Sequence, residues 1–505
     1  MNKIFKNSFY NILQAIIVTP IFFILVPYNI SKIGAEGYGL FALVGVISSY
    51  QVFVEMGLTT TIIRFVAKAN VNKDIKAIGE YLSTALLIFL LISILALTLI
   101  FTSANFLATR ILGIKMQIEL AIFLIKISAL TGIVNLISGL FKSILDGLQR
   151  MDISNAILTI QILLSALGTF YALESNYGIK GLIINGLIVS LLSLFANILF
   201  SKKLINYKIN ILRFNKNRFK EMFKYGVNLQ LSSLIYFWTE PLNKIIISHF
   251  LGINFVGYYD IALKFSSRIT NLVRSFLSSL FPASSEIFEK SGFDGIEILR
   301  NKSMKYIFPL VTFIYLIGLI CTPSFVNLWL GNSYDIVSTA IIILLIGSIL
   351  SILATPTYVL LLGAGYSNDT LKIQFQSILI NVPTVILGAL LFGFYGFCLG
   401  YSISMIYGFL ATHIYYKKRF DSKLNVFKIF VNIKIFSFCF IILTTGILAI
   451  HYLPMSTWTN FSVFAITFFV FGIIALWKFK ILTEKDISNL FGVNSIPEIV
   501  NNFRK

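Results

Sequence analysis

The residues best placed to do chemistry form a polar stripe inside the apolar segment 256–281. Its members recur every three to four residues, so at about 3.6 residues per turn they share one face of a helix. Three are cationic, and ammonium and guanidinium groups suit an anionic ligand, phosphate above all. The stripe therefore predicts an anion-binding face, although an internal ion-pair network would use the same residue types. It consists of Asp260, Lys264, Ser267, Arg268, Asn271, Arg274, Ser275 and Ser278.

The preceding apolar segment carries a second group, Glu240, Pro241 and Lys244. Glu240 and Lys244 are four residues apart on one helix face, so one interpretation is that they neutralise each other. In the other interpretation Lys244 helps to bind the anion. Glu240, like Asp260, would then be a candidate for binding a coupling ion, H⁺ or Na⁺. Pro241 leaves a backbone carbonyl without its helical partner and is the predicted hinge.

Glu55 is the main ionisable residue of the first half of the chain, with Ser48, Gln51 and Thr59 at helical spacing. Its own segment offers no basic neighbour, so Glu55 is predicted either to couple a cation or to pair with a cation on another helix. Lys126 is such a partner or, alternatively, a further anion-binding group.

These residues lie in a chain built for a membrane. Of its 505 residues 57% are apolar and 12% charged, and the mean hydropathy is +0.86. A bilayer-spanning helix needs roughly 20 apolar residues. We therefore predict an all-α polytopic membrane protein of about fourteen transmembrane helices, near 9–30, 39–62, 80–102, 118–141, 153–173, 181–200, 226–248, 256–281, 306–330, 337–362, 373–393, 397–416, 435–453 and 461–477.

A glycine-marked pattern occurs twice, about 218 residues apart. I-G-A-E-G-Y-G-L-F at 33–41 aligns with L-G-I-N-F-V-G-Y-Y at 251–259, Gly147 aligns with Gly363, and Tyr177-Gly178 aligns with Tyr395-Gly396. Two pseudo-symmetric six-helix lobes in the same orientation follow from this repeat. The predicted domains are an N-terminal lobe at 1–200, a basic linker with a short surface helix at 201–225, a C-terminal lobe at 226–416, a basic linker at 417–434, two further helices at 435–477 and a tail at 478–505.

The positive charge orients the chain. The predicted cytoplasmic segments hold 32 of the 41 lysines and arginines, and the outer loops hold 4. This asymmetry places both termini in the cytoplasm. The net charge of +20 then serves orientation and contact with anionic membrane lipids, not nucleic acid.

Enzyme motifs are missing from the sequence. We find no Walker loop, H-E-x-x-H, G-x-S-x-G or metal-ligand cluster, and Cys321, Cys398 and Cys439 have no ligand spacing. We therefore predict a protein that is not an enzyme, with no cofactor and no metal. Without an ATP site, transport would draw on a substrate gradient or on H⁺ or Na⁺.

Four motifs carry a resemblance to a known family. They are I-G-A-E-G-Y-G-L-F, E-M-G-L-T-T-T-I-I-R-F from Glu55, L-G-I-N-F-V-G-Y-Y-D-I-A-L-K-F from Leu251, and L-F-P-A-S-S-E from Leu280. The chain resembles the Wzx-type polysaccharide biosynthesis flippases of the multidrug/oligosaccharidyl-lipid/polysaccharide exporter superfamily. Glu55 stands where the family pattern leads us to expect aspartate, which keeps the carboxylate.

The resemblance implies alternating access in the bacterial cytoplasmic (inner) membrane. It implies flipping of an undecaprenyl-diphosphate-linked oligosaccharide, with a polysaccharide polymerase and other export components as partners. The cationic stripe suits the diphosphate. The alternatives are a multidrug exporter, which should have an acidic cavity, a lipid II flippase, and a membrane glycosyltransferase or ligase, which would need a larger extramembrane region. A non-transporting scaffold would leave the buried charges without a role.

Overall fold

The computed structural model describes residues 2–49, 55, 58–115, 117–210, 214–277, 280–420, 433–452 and 457–478. Helices make up nearly all of these residues, and none of them is in a strand. The chain divides into two compact units, 1–260 and 261–505. The main helices are α1 Asn2–Ser48, α2 Leu58–Val71, α3 Ile75–Thr102, α4 Ile118–Gly147, α5 Met151–Glu174, α6 Gly178–Leu204, α7 Lys216–Phe250, α8 Ile253–Leu277, α9 Leu280–Leu330, α10 Asp335–Gly363, α11 Ser367–Phe420, α12 Ile433–Tyr452 and α13 Trp458–Lys478.

The repeat is visible in the backbone. Five turns with left-handed residues recur in the same order along the chain, and such residues are uncommon except for glycine. Three of the long helices, α1, α9 and α11, bend at one of these residues. The corresponding pairs are Gly34 and Gly252, Lys73 and Gly292, Gly113 and Gly331, Gln149 and Gly365, and Gly178 and Gly393.

The last pair corrects the sequence alignment. The sequence pattern pairs Gly178 with Gly396, but the residue with positive φ is Gly393, at +60° against +53° for Gly178. Gly396 is helical and lies against Gly388. The tyrosine-glycine match therefore paired two residues of different conformation. The Gly147 and Gly363 pair keeps its place, because these residues end α4 and α10.

The prediction of a separate surface helix in the linker is wrong. Residues 205–210 are not helical and lie along α3, where the Asn210 N–H donates to Ser83 Oγ at 3.0 Å. A Cβ on Gly79 would be 2.5 Å from the Lys208 carbonyl oxygen, so glycine permits this close approach. The basic residues that follow belong to α7, which Asn215 caps through the N–H groups of its first turn. Residues 205–210 are thus held against α3 through their backbone.

In the second unit α12 and α13 pack against α9. Phe313, Leu316 and Ile320 of α9 form one core cluster with Phe438, Ile442, Phe464 and Phe468. Two glycines permit this packing: a Cβ on Gly446 would be 2.7 Å from Ile320 Cδ1, and one on Gly472 would overlap the Phe313 ring.

Many large apolar side chains remain exposed along the helices, Leu391 and Phe392 among them at 70% and 71%. Among the described residues eight helices are long and apolar enough to cross a membrane, and shorter apolar stretches follow at 437–448 and 458–474. The all-α membrane class is confirmed, whereas the count of fourteen spans and the lobe boundaries stay predictions.

Candidate functional site

Three charged side chains form one group in the first unit, in which a single ammonium lies between two carboxylates. Lys244 Nζ lies 2.8 Å from Glu240 Oε1 and 2.8 Å from Asp260 Oδ1. The contact with Asp260 is an ion pair, not an aligned hydrogen bond. The Asp260 side chain is 1% exposed, that of Lys244 9% and that of Glu240 50%. The group of three charges thus extends from a half-exposed carboxylate, on Glu240, to a fully buried one, on Asp260.

Tyr38 of α1 completes this group, and sequence reasoning missed it. Its hydroxyl donates to Asp260 Oδ2 at 3.1 Å. Beside it, the Asn243 amide donates to the Tyr259 hydroxyl at 3.1 Å. The signal was present in the repeat, because Tyr38 and Asp260 both lie within or beside the aligned glycine motifs. An alignment of two segments does not reveal that they touch.

The contact between Tyr38 and Asp260 depends on two glycines. A Cβ on Gly39 would overlap the Ile253 carbonyl oxygen, and one on Gly257 would be 3.1 Å from the backbone nitrogen of Gly39. The backbones of α1 and α8 therefore approach closely where the two motif copies cross. Gly39 follows Tyr38 directly and Gly257 is about one turn before Asp260, so the crossing brings these side chains together.

The three cations of the stripe lie further along α8, in the second unit. Lys264, Arg268 and Arg274 are half-buried, whereas Val273 on the opposite side is 2% exposed. Burial does not follow the stripe throughout, because Asp260 within it is buried, and Leu263 and Ile269 outside it are half-buried. Asn271 is exposed. The side chain of Ser275 and the whole of Ser278 fall outside the described residues.

Lys126 and Glu55 are not paired with each other. Among the described residues no ion pair joins them, and the Lys126 ammonium lies 5.5 Å from the centroid of the half-exposed Phe101 ring. Glu55 is a half-buried helical residue. Ser48 Oγ donates to the Ser128 carbonyl oxygen at 3.0 Å. Gln51 falls outside the described residues.

Pro241 lies inside α7, which continues as a helix through it. The described helices bend at Gly34, Gly292 and Gly393. The hinge role of Pro241 stays a prediction, as do the binding and coupling roles of all the site residues. In the described part of the chain no three His, Cys, Asp or Glu residues are grouped to hold a metal ion.

The fold defines the class of protein. Lipid II flippase MurJ in an inward closed conformation is similar over 96% of this chain and 99% of its own, with a TM-score of 0.74 and 16% identity. An inward-facing multidrug resistance MATE transporter of the MOP superfamily is similar over 82% of this chain and 94% of its own, with a TM-score of 0.61 and 15% identity. The chain therefore has the helical membrane-transporter fold that MurJ and MATE proteins share.

The family follows from the sequence. The chain belongs to the polysaccharide biosynthesis protein family, whose model matches residues 4–288. A Shigella flexneri protein named for O-antigen transport is 25% identical over 412 residues, which are 80% of this chain and 95% of that protein. The uncharacterized membrane protein EpsK of Bacillus subtilis is 22% identical over 420 residues, 80% of this chain and 81% of that protein. The resemblance stated from the motifs is thereby confirmed.

Proposed function

We propose that the protein is a flippase that moves undecaprenyl-diphosphate-linked oligosaccharide units across the cytoplasmic membrane by alternating access. The observation that carries this proposal is the membership of the polysaccharide biosynthesis family together with a MurJ-like fold. The relative named for O-antigen transport supports a glycan cargo. In this proposal the protein transports its substrate without making or breaking a covalent bond, and both termini face the cytoplasm.

The diphosphate is the part of the substrate that this chain is best equipped to recognise. Lys264, Arg268 and Arg274 lie on one face of α8 and remain half-buried. A guanidinium or ammonium group in such a setting forms stronger bonds to phosphate than it would in water. Lys126 is the weaker candidate, because its ammonium lies over the Phe101 ring.

We propose that an ion gradient drives the cycle, with H⁺ or Na⁺ as the coupling ion and no cofactor. The candidates are Glu55, Glu240 and Asp260. Carboxylates within a bilayer are costly unless they have a functional or pairing role. Asp260 and Glu240 share Lys244, so the group carries one more negative than positive charge when all three residues are ionised.

A reconstituted transport assay tests the function. Proteoliposomes would contain undecaprenyl-diphosphate oligosaccharide with a labelled sugar, and a sugar-specific glycosidase added outside would report its appearance in the outer leaflet. The wild type should flip the lipid, and Lys264→Ala/Arg268→Ala should slow flipping at least about tenfold, because each lost charged hydrogen bond costs about 1.5–3 kcal/mol.

The matched control is Lys202→Ala/Lys203→Ala, which removes two positive charges from the exposed end of α6. It should flip normally. Equal rates for the wild type and for a properly inserted Lys264→Ala/Arg268→Ala protein would refute the cationic site. A wild type that does not flip the lipid at all would refute the function.

Lipid II is the second candidate substrate, favoured by the similarity to MurJ over 99% of that chain. The same vesicles loaded with lipid II would separate the two. Faster flipping of lipid II than of the oligosaccharide lipid would favour this alternative. Partnership with a polysaccharide polymerase and other export components is part of the proposal for an oligosaccharide cargo only.

A further inference from the structure

Lys244 has the surroundings of an internal counter-ion. Its ammonium is 2.8 Å from each of two carboxylate oxygens, on Glu240 and Asp260, and its side chain is 9% exposed. A diphosphate that bound Lys244 would have to compete with both carboxylates and would bring further negative charge next to Asp260. Like charges at such distances repel strongly in a medium of low dielectric constant.

Within this group of charges, the Asp260 carboxylate depends most on its neighbours for stabilisation. It has 0% exposure, so water does not solvate the carboxylate. A buried charge is tolerated only when it is paired and hydrogen-bonded. Lys244 supplies the pairing at Oδ1 and the Tyr38 hydroxyl supplies a hydrogen bond at Oδ2. The carboxylate is thus held on both oxygens by side chains from two other helices.

The first copy of the repeat has apolar residues at the corresponding positions. At the spacing that matches Gly34 with Gly252, Lys244 corresponds to Val26 and Asp260 corresponds to Ala42. Val26 is 3% exposed and Ala42 6%, so both belong to the core. The repeated framework therefore does not need an ion pair at these places in order to fold. In the second copy, charged residues stand at places where the first copy has apolar ones.

We propose that Lys244 is the internal counter-ion of Glu240 and Asp260, and that Tyr38 is a positioning residue that holds the Asp260 carboxylate. This inference rests on the proposed function and narrows it, because it removes Lys244 from the groups that bind the anionic headgroup. Recognition of the diphosphate is then left to other cations. In this proposal Tyr38 acts on transport through Asp260.

A binding cycle tests the role of Lys244. The probe is undecaprenyl diphosphate, titrated into the purified full-length protein in detergent without an ion gradient. Lys244→Met alone removes the ammonium that lies 2.8 Å from Asp260 Oδ1, and we expect weaker binding and a lower unfolding temperature. Lys244→Met/Asp260→Ala removes both charges, as in the first copy, and should bind the probe within about threefold of the wild type.

The double variant decides the matter even if Lys244→Met does not fold. A loss of affinity of about tenfold or more in the folded double variant would show that Lys244 contacts the ligand, and would overturn the proposal. A double variant that cannot fold would overturn the claim that the repeat tolerates apolar residues there. For comparison, Lys264→Ala should lose affinity whichever residues occupy positions 244 and 260.

Tyr38→Phe removes only the hydroxyl, and its matched control is Tyr28→Phe on the same helix. The Tyr28 hydroxyl also donates to a carboxylate, Glu174 Oε1 at 2.7 Å, but at an exposed position. We expect Tyr38→Phe to slow flipping and to lower the unfolding temperature, and Tyr28→Phe to leave both nearly unchanged. In the Lys244→Met/Asp260→Ala background Tyr38→Phe should lower the unfolding temperature no further.

That last comparison separates positioning from packing. If Tyr38 only filled space, its replacement would have the same effect with and without Asp260, and this result would overturn the role. Unfolding temperatures need no substrate, so this cycle can be read even if the wild type fails to flip the oligosaccharide lipid. Failure of the proposed function and failure of this inference therefore give different results.

Discussion

Gly39 and Gly257 lie against each other in the first unit, and a Cβ on Gly257 would be 3.1 Å from the Gly39 nitrogen. These glycines occupy the same position in the two copies of the repeated motif. Their contact lets two helix backbones approach as closely as small residues allow in membrane proteins. The same crossing brings Tyr38 to Asp260.

Gly39→Ala should therefore be strongly destabilising. Its Cβ would overlap the Ile253 carbonyl oxygen, which is backbone and cannot rotate away. Overpacking of this kind costs about 1–3 kcal/mol. Gly45→Ala is the matched control, because it lies on the same helix with nothing within 4 Å of its Cβ. Thermal unfolding of the purified proteins should show a clear decrease for Gly39→Ala alone, and equal unfolding temperatures would contradict the crossing.

The repeat provides a control for a second prediction, because Gly113 and Gly331 occupy equivalent positions in its two copies. Gly113 and Gly331 both have positive φ, at +67° and +91°. A Cβ on Gly113 would also lie 3.1 Å from the His249 ring, whereas nothing is within 4 Å at Gly331. Alanine should cost roughly 1–2 kcal/mol at either site through backbone strain, and more at Gly113.

The measurement for this pair is again the unfolding temperature, with expression level as a check on insertion. The His249 ring nitrogens contact the carbonyl oxygens of Arg110 at 2.8 Å and Ile245 at 3.0 Å, so the ring cannot easily move. Gly113→Ala should thus be the less stable variant. The reverse order would show that the His249 contacts contribute nothing.

Asp369 and Arg419 join the two ends of α11. The guanidinium Nε donates to Asp369 Oδ2, and Nη2 donates to Oδ1 at 3.0 Å. These hydrogen bonds from Arg419 lower the pKa of Asp369 below its usual value. A carboxyl whose folded-state pKa is lowered stabilises the protein above its unfolded pKa of about 3.9 and loses that contribution as the pH falls through the folded value.

Asp369→Asn should therefore lower stability near pH 7 by about 1–2 kcal/mol, less than for a fully buried pair because the Arg419 side chain is 43% exposed. The difference from the wild type should shrink as the pH falls below about 4. Chemical denaturation at several pH values would measure it. Glu174→Gln, whose carboxylate is 62% exposed beside Lys32, is the control and should show little change at any pH.

The sequence sufficed for the helical class, because hydropathy is a local property. The Glu240 and Lys244 pair was also foreseen as one of two alternatives. The contact of Tyr38 with Asp260 was not, since it joins residues 222 positions apart. The alignment of Gly178 failed for a related reason: the letters matched at Gly396, whereas the turn requires positive φ at Gly393.

Arg300 provides the last prediction, because it is a buried cation. It is 2% exposed, its Nε donates to Thr357 Oγ1 at 3.2 Å, and its guanidinium lies 4.7 Å from the centroid of the Tyr416 ring. The charge of Glu297, one turn earlier in α9, acts on the guanidinium, but among the described residues no carboxylate lies within ion-pair distance of it. Burial lowers the pKa of Arg300, so the folded protein holds this proton less tightly than the unfolded chain does.

Since folding weakens proton binding at Arg300, the charge reduces stability at neutral pH. Arg300→Met keeps the length of the side chain and removes the charge. It should therefore be neutral or stabilising by about 1–3 kcal/mol. Arg419→Met is the matched control and should destabilise, because it leaves Asp369 without its partner. Denaturant unfolding of the two variants at pH 7 decides the point: a large loss of stability in Arg300→Met would mean that the Thr357 and Tyr416 contacts outweigh the cost of burying the charge.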